Sequence, residues 1–214
     1  FSRIGSSAPA TPVLPAPDEG YPKFLRNADP EDNLPAWDGV DAAFQGVDGL
    51  IRFFEGQSYS TYNPAAKTLS DPSSIRDKWG KVKNNLQETG KVDAALDLES
   101  YVYLFSGDQY YRYSVTSLNP PVLEEGYPKR LATNEEGLPT LTDEIAFAFS
   151  LNRKGYLYYR GGRLYAEFDP SRKQFLTGRP PVNWPGTLDG RAFDAAYTKD
   201  GHLYLIAGRT YLKY

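Results

Sequence analysis

One pattern recurs four times along this chain, and a chain that repeats itself about every fifty residues has few architectures open to it. The copies read VDAAFQGVDGLIRFFEGQSYSTY from Val40, VDAALDLESYVYLFSGDQYYRY from Val92, IAFAFSLNRKGYLYYRGGRLYAEF from Ile145 and FDAAYTKDGHLYLIAGRTYLKY from Phe193. Each runs from a short stretch of small and apolar residues, through a polar turn, to an aromatic strand, a glycine turn and a second aromatic strand. The turn glycines are Gly56, Gly107, Gly161 and Gly208, separated by 51, 54 and 47 residues. A tight hairpin often needs positive φ, which glycine takes at no steric cost. Alternation of apolar and polar positions marks strands rather than helices. The alanine pairs Ala42–Ala43, Ala94–Ala95 and Ala195–Ala196 are poor strand formers. They fit innermost strands that converge on a narrow axis. A β-sandwich has no need of equal fifty-residue units.

Composition narrows the function classes. The chain has 214 residues, 40% of them hydrophobic, which suits one large all-β domain. Its 19 glycines and 17 prolines favour turns over long helices. A net charge of −3 gives no electrostatic case for a nucleic acid or an anionic membrane, and no apolar run is long enough to span a bilayer. There is no Cys, no Met and a single His, His202. Disulfides, zinc–thiolate sites, Cys nucleophiles and His clusters are thereby excluded within one chain. The lack of an initiator Met implies a processed product or an excised piece.

A second punctuation follows the strand sets. It reads GYPKFL at 20–25, GYPKRL at 126–131, and in degenerate form DPSSIRDKW at 71–79 and GRPPVNWPG at 178–186. Asp71 and Pro72 predict an N-cap and first helical residue, so each unit is expected to end in a short rim helix or turn. LPAW at 34–37 and GLPTL at 137–141 then lead inward again.

The combination of DAAF, YLFSGDQYYRY and GYPK resembles the hemopexin-like repeat family over nearly the whole chain. The resemblance implies an all-β fold, a four-bladed β-propeller with four-stranded blades. The blades fall at about 38–80, 91–131, 143–185, and 192–214 together with 1–25, in a single domain. Two departures stand out. Ala146 replaces the aspartate of Asp41, Asp93 and Asp194, and Glu167 stands where the second unit has Tyr113. Many members of the family tie their first and last blades by a disulfide, which this chain cannot form. The fourth unit lacks an outer strand and a GYPK element, and residues 1–25 supply both. The expected closure is a noncovalent clasp, with Thr210–Tyr214 pairing to a strand from residues 1–16.

The resemblance also implies ions in a central channel. A structural Ca²⁺ or Na⁺ would rest on the backbone carbonyls of Asp41, Asp93, Ala146 and Asp194. Chloride would rest on the backbone NH groups of Ala43, Ala95, Ala148 and Ala196. The alternative is that the aspartate side chains cap turns. His202, in KDGHLY, reads as a turn residue rather than a haem ligand. Most tyrosines read as core between blades, and any exposed member of Tyr110, Tyr111 and Arg112 is a candidate contact. Glu124–Glu125 and Glu135–Glu136 read as solvated loops, RGGR at 160–163 as a hairpin turn, and KVKNN at 81–85 as too short for a nucleic-acid patch. The expected function is a non-enzymatic module that presents its surface to a protein or receptor, secreted, and akin to the bacterial and insecticidal-toxin relatives. The alternative is a small-ligand protein, for haem or a polyamine, using the channel face.

Overall fold

A computed structural model describes residues 17–24, 39–80, 85–133, 145–159, 165–169, 174–178, 187–188 and 191–214. In chain order the elements are β1 (Lys23–Phe24), β2 (Ala42–Gln45), β3 (Ile51–Glu55), β4 (Ser58–Asn63), β5 (Thr68–Leu69), β6 (Ser73–Ser74), α1 (Ile75–Lys78) and α2 (Asn85–Thr89). Next come β7 (Ala94–Leu98), β8 (Tyr101–Ser106), β9 (Gln109–Leu118), β10 (Pro121–Leu123), β11 (Lys129–Arg130) and a 3-10 turn at Leu131–Thr133. They are followed by β12 (Ile145–Leu151), β13 (Lys154–Tyr159), β14 (Tyr165–Asp169), β15 (Gln174–Gly178), β16 (Thr187–Leu188), β17 (Arg191–Ala192), β18 (Ala195–Lys199), β19 (His202–Ala207) and β20 (Thr210–Lys213).

The fold is all-β in class. Each repeat forms one antiparallel sheet, in the orders β2-β3-β4-β5, β7-β8-β9-β10, β12-β13-β14-β15 and β18-β19-β20-β1. The alternation of the aromatic strands explains how the sheets pack, because side chains two apart share a face. Ala42, Phe44 and Phe54 of the first sheet bury against Ala95, Leu104 and Tyr111 of the second. Ala94 and Leu96 of the second meet Ala148 and Leu157 of the third. Phe147 and Phe149 of the third meet Ala196 and Leu205 of the fourth. Ala195 and Tyr197 of the fourth meet Ala43 and Phe53 of the first. The innermost strands follow the same cycle: β2 packs on β7, β7 on β12, β12 on β18, and β18 on β2. The alanines let these strands approach. Gly155 does the same one strand out, since a Cβ there would meet Leu96 Cδ2 at 2.9 Å.

The N-terminal segment joins the fourth sheet. Lys23 and Phe24 lie opposite Tyr211 and Thr210, and the Asp18 amide donates to the Lys213 carbonyl at 2.8 Å. The second sheet holds 124–130 in the same way: Glu124 N donates to Arg112 O, and Lys129 and Arg130 lie opposite Tyr110 and Gln109. Tyr21 N to Asp18 O and Tyr127 N to Glu124 O repeat one turn, with Gly20 and Gly126 at φ +88° and +82°. The pairing segment is thus 18–24, and positions 210, 211 and 213 are engaged by it; residues 1–16 lie outside the described set. Both GYPK copies form a turn and a two-residue strand, followed in the second by the 3-10 turn Leu131–Thr133, while 71–79 carries the short helix α1. Residues 34–37 and 137–141, and nearly all of 178–186, also lie outside the described residues.

The expected cap at Asp71 is corrected to Ser74. Ser73 and Ser74 pair with Tyr59 and Ser58, so the chain is still extended there. Ser74 then caps α1, its hydroxyl accepting from Asp77 N at 3.3 Å. Serine is as good a cap as aspartate, and strand pairing decides which one is placed to act.

Candidate functional site

Asp41, Asp93 and Asp194 hold the same place in three sheets. The amide of each donates to the carbonyl of the second-strand residue that its successor lies opposite. Asp41 N donates to Phe54 O, and Ala42 is also opposite Phe54; Asp93 and Ala94 face Phe105, and Asp194 and Ala195 face Ile206. Two residues opposite one are a β-bulge. In the third sheet the register shifts at the corresponding point, between Ile145 and Phe147, so Ala146 takes the bulged position.

The aspartate carboxylates have a turn-locking role. Oδ2 of Asp41 accepts from Gly56 N at 2.8 Å, that of Asp93 from Gly107 N at 2.7 Å, and that of Asp194 from Gly208 N at 2.6 Å. Those glycines have φ of +56°, +57° and +58°. A carboxylate on a backbone amide is a strong bond, and here it ties the start of each inner strand to its hairpin turn. Gly161 and RGGR lie outside the described residues. Ala43, Ala95, Ala148 and Ala196 are buried two positions past the bulged residues, at equivalent places on the four inner strands. The bulged positions and the four alanines thus hold equivalent places on inner strands that pack in a cycle.

Tyr110 and Tyr111 are fully buried. Arg112 is half-buried, its guanidinium 4.3 Å from the Tyr101 ring centre and 4.6 Å from that of Tyr127, with Glu124 at 4.0 Å. Burial pushes the phenols of Tyr113 and Tyr159 above their usual range. These rings are core. His202 opens β19, and its Nδ1 is 4.0 Å from Asp18 Oδ2, with Lys213 Nζ 3.8 Å from the same oxygen. It belongs to the docking of the N-terminal segment. Glu135–Glu136 and residues 81–84 lie outside the described set. Among the described residues no group of three or more His, Cys, Asp or Glu is placed to hold a metal.

A further group escaped the sequence reading. Gln45, Asp97, Ser150 and Thr198 each follow the small residue of their inner strand by two positions. All four line one cavity of about 350 Å³, together with turn residues that include Val47, Asn152, Arg153 and Lys199. Ser150 Oγ lies against the Asp97 carbonyl and donates to Asp97 Oδ1 at 2.9 Å. Burial pushes the Asp97 carboxyl up to about 6, against the downward pull of the Ser150 hydroxyl. The available signal was a polar residue at the same offset in all four repeats.

Four antiparallel sheets packed in a cycle, three of them with an aspartate-locked hairpin, define an all-β repeat fold. The Hemopexin family model matches residues 92–140. Pig (Sus scrofa) vitronectin is 28% identical over 77% of this chain and 36% of its own length. Horse (Equus caballus) interstitial collagenase is 28% identical over 68% of this chain and 29% of its own length. A plant lectin with two metal binding sites from Cicer arietinum has a TM-score of 0.65 at 21% identity, covering 82% of this chain and 85% of that one. A hemopexin fold protein from cow pea gives 0.64 at 20% identity over 81% and 84%. The chain resembles the hemopexin-like repeat family in sequence and fold, and it spans about a third of the length of the curated relatives it matches.

Proposed function

We propose that this chain is a non-enzymatic binding module, a four-bladed propeller that presents one face to a protein or receptor partner in a secreted setting. Its basis is how the chemically useful side chains are spent: the aspartates hold turns and the central tyrosines fill the spaces between sheets. What remains for recognition is the ring of turns around the cavity, where Val47 stands 70% exposed among polar and charged residues. Cyclic packing of the four sheets supports ring closure, with 18–24 completing the fourth blade. In such a ring the bulged positions Asp41, Asp93, Ala146 and Asp194 offer carbonyls for a structural Ca²⁺ or Na⁺, and Ala43, Ala95, Ala148 and Ala196 offer NH groups for chloride. Residues of this kind fit because no side chain is required of Ala146.

A haem reading gains nothing from His202, which is not part of the cavity lining and is turned toward Asp18. The test presents the intact chain on a sensor surface to candidate matrix and receptor proteins, with Val47→Asp and the outer-strand variant Val122→Asp as maps of the face. Saturable binding lost in one and kept in the other is expected. A one-to-one Soret band on haemin titration, with no saturable protein binding, would replace this reading by small-ligand carriage.

A further inference from the structure

The inner strands end in a second ring of side chains. Ala43 packs with Ala195 of the preceding sheet, Ala95 with Ala42, Ala148 with Ala94, and Ala196 with Phe147. Gln45, Asp97, Ser150 and Thr198 are two residues further on, so each continues the face turned to the preceding sheet. All four are half-buried. Together they carry four interfaces out to one shared mouth.

The four strand-end side chains at that mouth carry oxygens, and the turn residues Arg153 and Lys199 border the same cavity. Gln45 spends its amide nitrogen on the Gly49 carbonyl at 3.2 Å, which leaves Oε1 to accept. Among the described residues the Asp97 carboxylate has the Ser150 hydroxyl and no ion pair. Thr198 has no side-chain bond among the described residues. Lys199, in the same lining, is paired with Asp200, its Nζ 3.0 Å from Asp200 Oδ2. A carboxylate taken from water without a counter-charge is costly, and here it borders a cavity with neutral oxygens from three other strands.

We propose that this mouth is a cation site, taking a hard ion of the Ca²⁺ type with Asp97 as the charged ligand and Gln45, Ser150 and Thr198 as neutral ones. Hard cations take six to eight oxygens, so water completes the shell, and the cavity has room for it. A single carboxylate places affinity in the weak range, on the order of 10⁻⁴ to 10⁻³ M. The site is separate from any ion on the backbone carbonyls at Asp41 and its equivalents. Four residues of extended strand put the two about 13 Å apart.

The experiment is a CaCl₂ titration of the full chain by calorimetry, in buffer whose monovalent cation is tetramethylammonium. The wild type is expected to show a weak class of binding that weakens at least tenfold in Asp97→Asn and several-fold in Thr198→Val. Asp108→Asn, on an exposed turn beyond Gly107, is expected to leave it unchanged. The asparagine keeps an acceptor for Ser150, and circular dichroism verifies the fold. Unchanged affinity and stoichiometry in Asp97→Asn would overturn the proposal, as would a wild type that takes up no Ca²⁺ in this range.

Discussion

Lys23 lies directly opposite Tyr211, so two residues 188 positions apart in the chain are neighbours in one sheet. Beside them the Tyr21 ring meets that of Tyr211 edge-on at 5.5 Å. Tyr21 also packs against the third-to-fourth and fourth-to-first interfaces. Truncation of a half-buried aromatic at such a junction costs about 2–3 kcal/mol. Tyr21→Ala is therefore expected to lower the melting temperature by roughly 4–10 °C, measured by calorimetry. A shift under a degree would show that the segment contributes little to closure.

The carboxylate-to-turn bonds are worth more than their exposure suggests, because each fixes a glycine at positive φ. Asp93→Ala and Asp194→Ala should each lose about 1.5–3 kcal/mol in urea unfolding. Asp93→Asn, which keeps an acceptor for the Gly107 amide, should recover much of that loss. Equal losses for alanine and asparagine would mean the bond is not what matters at this position.

The strand register corrects the expected match of Glu167 to Tyr113. Glu167 lies opposite Tyr156 as Arg112 lies opposite Tyr103, because the third repeat's second hairpin is longer. Glu167 is buried, with Lys154 Nζ 2.5 Å from its Oε1. Removing the lysine strands a buried carboxylate. Lys154→Met is expected to cost about 2–3 kcal/mol. The same change made on a Glu167→Gln background should cost far less, and a double-mutant cycle reads the difference. Additive losses would contradict the pairing.

Asp97 gives the stability a pH dependence. Its folded pKa is raised, so its contribution is fully present below the unfolded value near 3.8 and is lost as pH rises through about 6. The charged neighbours at the mouth are Glu99, Arg153, Lys199 and Asp200. Asp97 is half-buried, and solvent screening of such a group holds the change across this window to about 1–2 kcal/mol. With a chelator present, Asp97→Asn should flatten the profile between pH 4 and 7 and raise stability at neutral pH. Chemical denaturation at stepped pH reads both; a variant profile parallel to the wild type would place the titration elsewhere.

The strand grammar, the hairpin glycines and the need for a closing segment are all written locally, in spacings that repeat about every fifty residues. Alternation reports which residues share a face, and turn chemistry reports where the chain reverses; both act over a few residues, so both were legible. The repeated aspartate was visible too, but not which of its two readings holds for the side chain. That depends on a hairpin folding back until residues 14 or 15 apart touch. Ser74 rather than Asp71 caps α1 because strand pairing holds the chain extended through Ser74.

The sequence by itself determined the repeat, the all-β class and the family resemblance. The tertiary structure alone decided which of 1–25 pairs with the last strand, which tyrosines are buried, and that Gln45, Asp97, Ser150 and Thr198 share one mouth. Asp97 and Ser150 are 53 residues apart and hydrogen-bonded. Burial and electrostatics are set by such non-local neighbours, and no local spacing encodes them.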